Sequence, residues 1–114
     1  MTSTPAEIAE AFSRHRFADV YPYLAPDVRW VAHGVAEAVG HDAVVAVCEN
    51  TLAELKDSTT TYRSFRSIVG TDAVVVDVVA HYAQADGEFV VASCDLYDFA
   101  DGLVTAITSY TVAL

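Results

Sequence analysis

Positive charge is scarce in this chain: six Lys and Arg stand against 16 Asp and Glu among 114 residues, a formal net charge of -10. Nothing here could neutralise a phosphate backbone, so nucleic acid is excluded as a partner, and an anionic membrane surface is disfavoured for the same reason. Long apolar runs are also missing, and the longest falls far short of the roughly 20 residues that a spanning helix requires. The first turns carry Glu7 and Glu10 where a secretory signal would have a basic start and an apolar core, so a cytoplasmic location is expected. The two cysteines, Cys48 and Cys94, form no CxxC pair and have no His at ligand spacing. They are expected to be reduced, buried thiols, with no metal site. No Gly-rich phosphate loop and no GxSxG elbow occur, so no cofactor is implied, and any chemistry should be proton transfer on a neutral organic molecule.

What is present is apolar bulk. With 54% hydrophobic and 19% charged residues, the chain can bury about two-thirds of its surface in one domain spanning residues 1–114. Thr4-Pro5-Ala6-Glu7 combines an N-cap type, a proline at the first helical position and a capping-box glutamate, predicting a helix to about Arg16. Ile8, Ala11, Phe12 and His15 follow one face of it. Phe17 to Leu24 reads as a short second helix, Val28 to His33 as a strand, Gly34 to Gly40 as a loop, and His41 to about Lys56 as a third helix.

From Thr59 onward the pattern is of strands: Thr59 to Val69, Ala73 to Ala85, Glu88 to Phe99 and Leu103 to about Ala113. Asp86-Gly87 suits a two-residue type I′ hairpin. Pairing Ala85 with Glu88 sets Val78, Ala80 and Tyr82 opposite Asp95, Ser93 and Val91 on one face, leaving Val79, His81, Ala92 and Cys94 on the other. The turn at Ala100-Asp101-Gly102 is open to two counts. A three-residue loop, the preferred one, sends Thr105, Ile107 and Ser109 to Asp95's side, and a two-residue loop sends Thr108 and Tyr110 there. Helices followed by antiparallel strands make an α+β domain. One sheet face lacks a helix to cover it, so a homodimer through that outer face is expected.

Asp95 lies inside Val90-Val91-Ala92-Ser93-Cys94-Asp95-Leu96-Tyr97, away from either turn, where a carboxylate needs a physical reason. It could face an apolar pocket, its pKa raised so that it serves as acid, base or donor. Equally, it could be a carboxylate satisfied by a neighbouring Thr, Ser or Tyr, or one at a wet dimer edge. His33, at a strand end beside Gly34, is the candidate for complementary proton transfer, against the plainer reading of a surface imidazole. Trp30, Phe12, Tyr82, Tyr97, Phe99 and Ile107 are the candidate pocket residues, each also readable as ordinary core. His41, His15 and His81 are read as helix-end or interface residues.

The order of elements carries a resemblance. Leu24-Ala25-Pro26-Asp27-Val28-Arg29-Trp30, then Val39-Gly40-His41-Asp42-Ala43-Val44, then Leu96-Tyr97-Asp98-Phe99-Ala100-Asp101-Gly102-Leu103-Val104 together resemble the SnoaL-like branch of the nuclear transport factor 2-like superfamily. The resemblance implies a cone: a strongly bent, mainly antiparallel sheet wrapped around three N-terminal helices, with a deep pocket and commonly a dimer. Against the ketosteroid isomerases of that superfamily, Cys94-Asp95-Leu96-Tyr97 matches the strand whose Asp is a protonated oxyanion-hole donor. Ala32 stands where those enzymes have their general-base Asp, and Ile8 where they have their Tyr. The Arg common on the last strand of SnoaL-like proteins is Thr108 here.

The function expected is therefore a cone protein that binds a small hydrophobic organic molecule and works, if catalytic, as a cofactor-independent isomerase or polyketide-cyclase-like enzyme. The alternative is a non-catalytic ligand-binding or dimerisation module of the same fold.

Overall fold

A computed structural model describes residues 3–114. The chain opens with helix α1 (Pro5–Ser13), capped by the expected box: Glu7 N–H donates to the Thr4 hydroxyl at 3.2 Å and Thr4 N–H to Glu7 Oε1 at 2.8 Å. The helix stops three residues before the expected Arg16. His15 takes a left-handed φ of 64°, Arg16 N–H donates to Ala11 O at 2.9 Å and His15 N–H to Phe12 O at 3.0 Å. This is a Schellman closure with histidine in the position that glycine usually fills.

The expected second helix is instead two 3₁₀ turns, Phe17–Asp19 and Tyr21–Tyr23, because Pro22 has no N–H to continue an α-helical ladder. Strand β1 (Leu24–Ala32) follows, and the segment expected as a loop contains a short edge strand, β2 (Ala36–Val39). Backbone pairing of Trp30 with Ala38 and Ala32 with Ala36 builds β2, where the side-chain pattern gave little signal. Helix α2 (His41–Leu55) precedes β3 (Thr59–Val69), β4 (Ala73–Gln84), β5 (Gly87–Ala100) and β6 (Leu103–Ala113). The fold is α+β with an open six-stranded sheet in the order β2-β1-β6-β5-β4-β3, antiparallel except for the β1–β6 pair.

Two turns differ from expectation in informative ways. The β4–β5 hairpin turns on Ala85-Asp86, not Asp86-Gly87, so Gly87 pairs with Gln84 and Asp95 with Val76 instead of Val78. Neither Ala85 nor Asp86 has positive φ, and Gly87, at φ 147°, begins the strand. The shift of two residues preserves side-chain parity, so the faces are as expected although the partners are not. At the β5–β6 connection Ala100 pairs with Leu103 across two left-handed residues, Asp101 (φ 53°) and Gly102 (φ 78°). That is a two-residue loop, yet an irregularity beside Asp98, at Thr105, restores the register of the three-residue one, pairing Ser109 with Asp95 and Ile107 with Tyr97.

The concave face of the sheet buries Val74, Val76, Val78, Ala80, Tyr97 and Ile107 against Ile8 and Phe12 of α1 and Val44 and Cys48 of α2. Each such aliphatic side chain contributes about 1.5–3 kcal/mol on leaving water. Cys94, expected to be buried, is only half-buried, because its place in β5 puts it on the convex face with Asp77 and Tyr110. Among the described residues no helix is long and apolar enough to cross a membrane.

Candidate functional site

The inward alternation of β5 and β6 brings Asp95 and Ser109 side by side, and the last residue of α1 descends onto them. Ser109 donates to Asp95 Oδ1 at 2.7 Å, and Trp30 Nε1–H of β1 donates to Ser109 Oγ at 3.0 Å. On the other oxygen, Ser13 donates to Asp95 Oδ2 at 3.0 Å. Since the Ser13 proton is then committed, the 2.6 Å contact between Ser13 Oγ and Tyr97 OH makes the phenol its donor. The direct Tyr97 to Asp95 approach, at 3.5 Å, is too long to compete. Two relays, Trp30 to Ser109 and Tyr97 to Ser13, thus converge on one carboxylate.

Asp95 faces a cavity of about 320 Å³ that Phe12, Phe17, Trp30 and Ala32 line on the apolar side, and Ser13, His15 and Ser109 on the polar side. The aromatic walls lock edge to face, with Phe12 ring centroids 4.8 Å from Phe17, 5.0 Å from Trp30 and 5.7 Å from Tyr97. Burial pushes the Asp95 carboxyl above its ordinary pKa, against the hydroxyls of Ser109 and Ser13 and the nearby His15, which favour the charged form. Burial likewise pushes His15 below the usual histidine value, with Asp95 opposing the change. Tyr97, fully buried, is held well above the ordinary phenol range by burial and by Asp95. The left-handed backbone at His15 costs about 1–2 kcal/mol for a residue with a Cβ. It directs the imidazole into the cavity wall beside Phe17, at 5.5 Å between centroids, and Tyr82, at 6.2 Å.

Of the residues singled out in the sequence, Asp95, Trp30 and Phe12 line the cavity, and Tyr97 stands directly behind it on the Ser13 relay. Tyr82 lies next to His15 and stacks on Phe89 at 5.1 Å. Ile107 is core beneath the site, and Phe99, half-buried, packs against that core beyond the register shift. His33 is elsewhere. It is exposed and stacks on Tyr110 at 4.8 Å, on the convex face to which Asp95's neighbour Cys94 belongs. The residues the sequence reading did not place in the site are His15, read as the end of the first helix, and Ser13. Their signal is tertiary: only the early stop of α1 and its docking over β5 bring them to Asp95. Among the described residues, no group of three His, Cys, Asp or Glu side chains gathers as a metal site would.

The architecture and pocket define a class: a small α+β cone with a half-buried carboxylate facing an aromatic hollow. The model of the SnoaL-like domain matches residues 6–107, and the chain belongs to that family. Its fold is shared by a nuclear transport factor 2-like protein of unknown function from Cytophaga hutchinsonii ATCC 33406, with 29% identity, 92% of this chain and 93% of the other covered, and a TM-score of 0.81. A hypothetical protein from Catenulispora acidiphila DSM 44928 with a ketosteroid isomerase-like fold, solved in complex with trimethylamine, matches at 18% identity over 94% and 86% of the two chains, with a TM-score of 0.72. An LEH-like epoxide hydrolase of M. tuberculosis matches at 14% identity over 90% and 74% of the two chains, with a TM-score of 0.65. No curated protein matches the chain.

Proposed function

We propose that this protein binds a small, mainly apolar organic molecule in the cone and moves a proton on it without a cofactor, in the manner of an isomerase or a polyketide cyclase. The observation that carries the reading is Asp95, a carboxyl raised by burial at the wall of an aromatic cavity of about 320 Å³. Asp95 takes a proton from a carbon next to a carbonyl, leaving an enolate, and the complementary role falls to His15 on the same wall, not to the exposed His33. Return of the proton at another carbon completes an isomerisation, and attack of the enolate carbon on a second carbonyl of the same molecule, with protonation of the new alkoxide, completes a cyclisation. Hydroxyl donors on both oxygens of Asp95 hold its carboxylate plane fixed, and each oxygen keeps a lone pair for the substrate.

The direct test is exchange of α-hydrogen for deuterium in a panel of cyclic ketones in D₂O, followed by NMR. Wild-type protein should accelerate exchange over buffer for at least one ketone, and Asp95→Asn should remove the acceleration. Equal rates in both proteins and in buffer would leave the cone as a ligand-binding or dimerisation scaffold, a reading that the existing hydroxyl partners of Asp95 favour. The convex face carries half-buried Val79, Ala92 and Leu96 with exposed Tyr110 and Val112, and we propose a second copy as its cover. Light scattering on the eluting protein should give twice the chain mass, and Ala92→Glu should halve it.

A further inference from the structure

The Asp95 cavity does not end at Trp30. A second hollow of about 190 Å³ opens beyond it and shares Trp30, Ala32, Val35 and Thr51 as wall with the first. Its own lining is Ala36 and Ala38 of β2 and Val47 of α2. Glu37 also borders it, yet its carboxylate is engaged by Arg29 at 2.8 Å. Since Trp30 pairs with Ala38 and Ala32 with Ala36, three alanines sit together on adjacent strands, and their missing side-chain volume is the hollow. A dry cavity of about 150 Å³ suffices to hold a benzene ring. The second hollow exceeds that, and the first, at about 320 Å³, has room for another ring beside the polar end.

We propose that the hollow of Ala36, Ala38 and Val47 is a tail subsite continuous with the Asp95 cavity, so that the ligand is an elongated molecule with one hydrogen-bonding end and one hydrocarbon end of ring size. This rests on the reading of Asp95 as the polar end of the site. Apart from Glu37 at its rim, paired with Arg29, the tail end offers no charge, and the Thr51 hydroxyl already donates to Val47 O at 2.9 Å, which selects against ligands polar at both ends.

Phenol and 4-phenylphenol test it, the second adding one ring to the same head. By titration calorimetry, 4-phenylphenol should bind wild-type protein about tenfold or more tightly than phenol. Ala38→Leu, which puts a side chain into the hollow, should bring the two within about threefold, and Val47→Phe should do the same from the helix side. Retention of the full preference in both variants, shown to be folded by circular dichroism, overturns the subsite. So does failure of 4-phenylphenol to bind wild-type protein at all. Asp95→Asn separates the two ends. If it leaves both affinities unchanged while Ala38→Leu still abolishes the preference, the tail subsite stands and the polar-end reading of Asp95 fails.

Discussion

Replacing His15 by glycine should give a more stable protein than replacing it by alanine, the reverse of the order that holds inside helices and strands. At φ 64° a Cβ is in the left-handed region, where it costs about 1–2 kcal/mol. Alanine retains that strain and glycine does not. Against this, glycine loses more backbone freedom on folding, by about 0.5–1 kcal/mol. Both variants lose the imidazole and its contacts with Phe17 and Tyr82, so that loss cancels in the comparison. The net advantage of His15→Gly is about 0.5–1 kcal/mol, which at an m-value near 2 kcal/mol/M is a difference of roughly 0.3–0.5 M in the urea midpoint. Fluorescence of Trp30, the one tryptophan, reports the transition. A midpoint for His15→Ala equal to or above that of His15→Gly would refute the strained Schellman closure. With it would go the idea that the chain maintains this geometry to place an imidazole beside Asp95.

His15 should titrate by NMR below the ordinary histidine value, and Asp95→Asn should move it lower still, since the carboxylate works against burial; an upward move would contradict the pairing. The lowered His15 makes stability rise with pH from its native pKa up to about 6.5, whereas the raised Asp95 makes it fall from about 3.9 to its own native value. Urea midpoints between pH 4 and 6.5 should therefore climb more steeply with pH in Asp95→Asn than in wild type. Ser109→Ala removes both the acceptor of Trp30 Nε1–H and the donor to Asp95 Oδ1, and should cost about 1–3 kcal/mol by denaturation; a loss within error would mean that water replaces the hydroxyl. Thr4→Ala breaks the capping box and should cost about 1 kcal/mol by the same assay, with no effect on ligand affinity.

The sequence made Asp95 legible because alternation is parity: a strand residue stays on its face whether the hairpin register is right or displaced by two. That is why Val78 could be named wrongly as its partner while the inward placement was right. The last strand shows the opposite case, where the loop is shorter than expected and an irregularity at Thr105 restores the face. Bulges leave almost no trace in a pattern of single residues. His15 was illegible because the usual mark of a helix end, a glycine at the left-handed position, is absent from Ser13-Arg14-His15-Arg16, and helical periodicity runs on through it. His33 illustrates how far a local argument reaches. Its position at the end of β1 was correct, but the side to which the imidazole turns depends on a neighbour, Tyr110, that is distant in sequence.

The parallel pairing of β1 with β6 also sets the order in which this molecule can come into being. Leu24 meets Val104, and Trp30 meets Ile107, only after every other strand has been synthesised, because β6 slots between β5 and β1 in the middle of the sheet. Hairpins β3–β4 and β4–β5 can close locally on the emerging chain, but β1 and β2 must wait with their edge unpaired. Loop closure over so long a span makes the final step slow. Trp30, Ser109 and Asp95 are joined in that same step, so a chain arrested before β6 lacks the Ser109 half of the site.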